Sequence, residues 1–138
     1  MISRNQSHYF IMSAIYIELA DFNFAKGETS RPAEEVIKDL LDEEEEIPLF
    51  ILDSVNLSLL HYADALKAIT PYLKNWKWER IPLLSQAILL MSYTHFYYVE
   101  KDKVDKKVVI NTAIDLAKKY VDEKQAKFIN AILENVLN

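Results

Sequence analysis

The chain has 138 residues, 51% of them hydrophobic and 12% aromatic, with a formal net charge of -5. That is enough apolar material for one sizeable core in a chain too short for two, so a single domain over residues 1–138 is expected. One glycine and four prolines supply too few turns for a sandwich or barrel, and the lack of cysteine excludes disulfide frameworks, zinc knuckles and thiolate nucleophiles; the totals leave an all-α fold, in keeping with a reducing, cytoplasmic compartment.

The opening "MISRNQSHYF" has no apolar signal core followed by small residues and does not read as a secretory signal. From about Asn5 to about Asp21, Phe10, Ile11, Ala14, Ile15, Leu19 and Phe22 recur at helical spacing, which predicts an amphipathic helix with Arg4 and His8 near its start. "KGETSRPAEEVIKDLL" then reads as a loop through Gly27, an N-cap at Thr29 or Ser30, Pro32 and the acids Glu34 and Glu35 in a first turn, and a short helix ending near Leu41. The run "DEEEE", residues 42–46, is expected to be a solvated acidic loop, because neighbouring carboxylates point in different directions rather than converging on an ion.

Pro48 opens "PLFILDSVNLSLLHYADALKAI", a long helix expected to run with at most a kink before Thr70–Pro71, followed by a short helix in "PYLKNWKW". Residues 81–99, "IPLLSQAILLMSYTHFYYV", carry no charge over nearly the length of a bilayer span. Pro82, Ser85, Gln86, Ser92, Thr94 and His95 dilute that run, so it is predicted to be a buried central helix and not a membrane span. Beyond the charged connector "EKDKVDKK", Ile110, Ala113, Ile114 and Ala117 form one helical stripe, and Phe128 or Ile129, Ile132, Leu133 and Val136 form another.

No catalytic constellation is present in the pattern. His8, His61 and His95 are scattered without partners at ligand spacing, there is no HExxH arrangement, and one glycine cannot build a phosphate-cradling loop. Neither an enzyme nor a metal or cofactor site is expected. Binding is the better prospect, and the segment "AKKYVDEKQAKFINAIL", residues 117–133, sets Tyr120 and Phe128 beside Lys118, Lys119, Lys124 and Lys127. Aromatic faces that hold unstacked bases, with cations for the phosphates, are what single-stranded RNA recognition requires. A plainer reading stands beside it: Phe128 caps the core and the lysines solubilise helix ends, where cations also suit the dipole.

"VVINTAIDLAKKYVDEKQAKFINAILENVL", residues 108–137, resembles the C-terminal signature of the NusB family of bacterial transcription antitermination factors, an "INEA…LAK" helix followed by a "KF(I/V)NG(I/V)L" helix. "PYLKNWKWERIPLLSQAILLMSYTHF" is similar to the family's "PYL…W…RI…AILRLAIYEL", and "SRNQSHYFIMSAIY" to its N-terminal "SRHQ.RE.A…ALY"; the likeness is weakest from about Ala20 to Leu60. The resemblance implies about seven helices in two small bundles sharing one core, divided near residue 75 into about 1–75 and 76–138. It also implies a protein partner, NusE, the small-subunit ribosomal protein, and an RNA ligand, the boxA element of nascent ribosomal RNA (rRNA) transcripts. The pair would load RNA onto an RNA polymerase antitermination complex, without catalysis. Some members self-associate, which leaves a homodimer among the assemblies the resemblance allows.

Carried over by position, the family's basic N-terminal helix falls on Arg4 and His8 and its tyrosine on Tyr16. The aromatic closing the "LAK" helix is Tyr120, beside Lys118, and the "KF" pair is Lys127 and Phe128. Departures are as informative. The N-terminal arginines are reduced to Arg4, the arginine and glutamate of "AILRLAIYEL" are Leu90 and His95, which removes any charge pair they would make, and Val121 is a poor left-handed helix C-cap. Lys124 occupies a turn position that is acidic in at least some members, so RNA affinity is expected to rest more on the C-terminal turn than on the N-terminal helix. Two other readings follow from the same likeness: a protein–protein adaptor of this fold that has lost RNA recognition, and an RNA-binding domain detached from an RNA methyltransferase.

Overall fold

The structure is a computed structural model that describes residues 2–24, 31–42 and 46–138. Among these residues are seven α-helices and no strand: α1 (Arg4–Phe24), α2 (Ala33–Leu40), α3 (Leu49–Leu60), α4 (Tyr62–Ile69), α5 (Leu83–Thr94), α6 (Lys106–Tyr120) and α7 (Glu123–Val136). No helix among them is long and apolar enough to cross a membrane. The expected loop through Gly27 and the caps Thr29 and Ser30 lie outside the described residues, as does the middle of the acidic run; its described ends, Asp42 and Glu46, are exposed.

α1 starts with a reciprocal cap. Gln6 N donates to Ser3 Oγ at 3.1 Å while Ser3 N donates to Gln6 Oε1 at 2.8 Å, the S-x-x-Q arrangement that satisfies two orphan donors of a first turn. The helix then buries Ile11, Met12, Ala14, Ile15 and Leu19, each large aliphatic contributing about 1.5–3 kcal/mol. Pro32 occupies the cap position of α2 instead of its first turn, where its missing N–H costs nothing because the first helical N–H groups have no partner anyway.

The predicted long helix is interrupted at His61, whose φ of -98° and ψ of 21° separate α3 from α4. The expected short helix in "PYLKNWKW" is not one. Two 3-10 turns, Thr70–Tyr72 and Trp78–Arg80, flank a reversal in which Lys74 adopts φ 57°, a left-handed conformation that costs a non-glycine residue about 1 kcal/mol or more. Pro71 inside the first turn and this reversal stop α-helical hydrogen bonding.

α5 is the central helix the uncharged run predicted: its residues from Ser85 to Thr94 are all buried, and it packs on α1, α3, α4, α6 and α7. Its polar groups are largely accommodated in place. Gln86 Nε2 donates to the carbonyls of Trp78 (2.9 Å) and Ile81 (3.1 Å), Ser85 Oγ to Gln125 Oε1 (2.8 Å), and Ser92 Oγ to Ile88 O (2.7 Å), as burial in a low-dielectric interior demands. A π-helical turn, His95–Val99, ends it. Buried side chains of all seven helices form one continuous hydrophobic cluster. Both predicted C-terminal stripes face it, with Ile129 rather than Phe128 as the buried member of the second.

Candidate nucleic-acid interface

Local chemistry builds the turn between α6 and α7. Val121 N donates to Ala117 O at 2.8 Å and leaves the helix at φ -120°, so the turn closes without the left-handed residue that a β-branched side chain resists. Asp122 follows in extended backbone and its Oδ1 accepts from Gln125 N at 2.7 Å, a side-chain cap for α7. Lys118 and Lys119 therefore sit in the last turn of α6, and Lys124 and Lys127 in the first turns of α7, all exposed.

Two ring-and-cation clusters result. In the first, Tyr9 of α1 meets Tyr120 with ring centroids 5.2 Å apart, and Lys119 Nζ lies 5.4 Å from the Tyr120 centroid, within cation–π range. These residues line a cleft of about 190 Å³ together with Asn5, His8, Thr112, Asp115 and Leu116. In the second, Phe128 meets Trp76 edge-on at 6.4 Å, and Lys124 and Gln125 line a small cleft with them.

The start of α1 is arranged differently. Arg4 donates from its guanidinium to Glu100 Oε1 at 2.9 Å and lies 3.8 Å over the Phe50 ring. Glu100 Oε1 is also hydrogen-bonded to His95 Nε2. The His95 bond, with Arg4 second, holds the Glu100 carboxyl below the usual carboxylate range against its partial burial. At the two positions where the family's arginine and glutamate are absent, Leu90 is core and His95 is hydrogen-bonded to Glu100. His8 is buried against Phe50 and His95. Burial, with His95 and Arg4 nearby, lowers its pKa to about 4, so it is neutral at physiological pH. Its Nε2 has no hydrogen-bond partner among the described residues.

The expected site residues therefore separate. Tyr120 and His8 share the first cleft with Lys119, and Lys124 and Phe128 share the second. Lys118 and Lys127 flank them as exposed cations, Arg4 is engaged by Glu100, and Tyr16, 39% exposed, lies two turns beyond Tyr9 at helical spacing on α1. Sequence reasoning passed over Tyr9, Asn5 and Trp76. The seven-residue interval from Tyr9 to Tyr16 is the signal that marks the first.

The family model described as "NusB family" matches residues 8–138. The chain belongs to the NusB family. The transcription antitermination protein NusB of Halalkalibacterium halodurans is 35% identical over 104 residues, 75% of this chain and 76% of that protein. The protein of the same name from Bacillus subtilis is 37% identical over 103 residues, covering 74% and 76%. The fold is that of T. maritima NusB, with a TM-score of 0.80 at 20% identity over 99% of this chain and 92% of that one. Membership of the NusB family agrees with the all-helical expectation.

Proposed function

We propose that this NusB-family chain is an RNA-binding transcription antitermination factor. With NusE it binds boxA-type RNA of nascent rRNA transcripts in the cytoplasm and joins the RNA polymerase antitermination complex, with no chemical step of its own. The observation that carries the reading is the cleft between α1 and α6, where the Tyr9 and Tyr120 rings and the Lys119 cation converge, with Asp115 the one acid in the lining among the described residues. Rings take the faces of unstacked bases and lysines neutralise phosphate, while buried His8 packs beneath the cleft. Lys118, Lys124, Lys127 and Phe128 extend this surface along the turn, Tyr16 extends it along α1, and Arg4 joins once it leaves Glu100.

The test is fluorescence anisotropy of labelled boxA-type RNA with the chain alone and with NusE, at two salt concentrations. Binding should weaken with salt at a slope of about 0.7 per phosphate contact and strengthen when NusE supplies its own cations. A second reading, an adaptor that has lost RNA recognition, is favoured by one arrangement: Arg4 is already paired and His8 is uncharged. NusE binding without any RNA affinity would establish that reading and overturn the first.

A further inference from the structure

We infer that Trp76, with Phe128 and Lys124, forms a second subsite that takes one unstacked base of single-stranded RNA, distinct from the cleft at Tyr120; the inference rests on the RNA-binding reading above. The chain carries two tryptophans, and the structure uses them oppositely. Trp78 is buried, and its Nε1 donates to Tyr62 Oη at 3.0 Å. Trp76, two residues earlier, is 53% exposed, and its one ring contact among the described residues is a T-shaped meeting with Phe128, at an interplanar angle of 67°. Lys74 in its left-handed conformation makes the reversal that brings the chain to this point, a backbone cost that persists where the surroundings require it.

The cleft between Trp76, Ile81, Pro82, Gln125 and Phe128 holds about 50 Å³. That is too little for a whole base, so the ligand ring lies across the exposed aromatic surface. The surrounding charge identifies the occupant. Among the described residues Lys124 lines the cleft and no acid does; nearby in sequence the exposed cations Lys74, Lys77, Arg80 and Lys127 outnumber the exposed acids Glu79, Asp122 and Glu123. None of these four lysines forms an ion pair among the described residues. An exposed tryptophan among cations without ion pairs suits a polyanion with flat rings better than an apolar peptide.

The two tryptophans also supply the experiment. A single-stranded RNA of about twelve nucleotides is titrated into wild-type, Trp76→Phe and Trp76→Ala chains, following tryptophan emission and anisotropy at several salt concentrations. Stacking predicts quenching in the wild type that is absent in Trp76→Phe, where only buried Trp78 emits. It also predicts affinity close to wild type for Trp76→Phe and about tenfold or more weaker for Trp76→Ala, with an unchanged salt slope because no phosphate contact is lost. RNA binding with no quenching and no loss in Trp76→Ala would overturn the subsite and leave the RNA-binding reading standing. No binding by the wild type at low salt would overturn both. Far-ultraviolet circular dichroism of each variant separates lost binding from lost fold.

Discussion

The start of α1 and the α6–α7 turn both carry cations beside aromatic rings, yet the fold treats them oppositely. At the start of α1, Arg4 is held by Glu100 and Phe50, and His8 is buried and neutral. At the turn, Lys118, Lys119, Lys124 and Lys127 are exposed and unpaired among the described residues. A positive residue in a sequence is therefore not yet a positive surface; what it pairs with decides how much of its charge reaches a ligand.

The sharpest way to break this comparison is charge reversal. Lys124→Glu with Lys127→Glu should lower RNA affinity about a hundredfold at low salt and reduce the salt slope by about 1.4, whereas Arg4→Ala should change affinity by less than about threefold. An anisotropy series in which Arg4→Ala is the more damaging change would reverse the assignment of the two regions.

The buried end of the comparison is tested by pH. His8 binds its proton below about pH 4 when folded and near 6.5 when unfolded. Between those values the unfolded chain holds more protons, so stability is fully present above about 6.5 and falls as pH drops toward 4. By about pH 5 the loss should be about 2 kcal/mol. His95, Arg4 and Glu100 are the charged or titratable groups that act on the ring. Urea unfolding of His8→Phe should show that much less destabilisation on going from about pH 7 to about pH 5; parallel profiles for the two chains would refute the burial argument.

Two smaller effects sharpen the contrast. Asp122→Ala removes the α7 cap and should cost about 1 kcal/mol in chemical denaturation, while Asp122→Asn should keep most of it. Glu100→Gln should release Arg4 and raise RNA affinity about two- to threefold with a steeper salt slope, since a single phosphate contact becomes available. An unchanged slope would mean that Arg4 stays on Phe50 even without its carboxylate.

Much of this was legible in advance, and for definable reasons. The sequence alone determined the helical class, because turn residues are scarce and apolar spacing is helical, and it placed the buried central helix, because an uncharged run with interspersed Ser, Gln and Thr can be housed in a protein core. It also marked the α6–α7 turn, since side chains a few residues apart at a helix junction are brought together by local geometry. Only the tertiary structure decided the pairing of Arg4 with Glu100, 96 positions away, the meeting of Tyr9 with Tyr120, and which of two neighbouring tryptophans is exposed. Those outcomes depend on how helices distant in the chain pack around α5, and the spacing of the residues that take part does not say which partner each will meet.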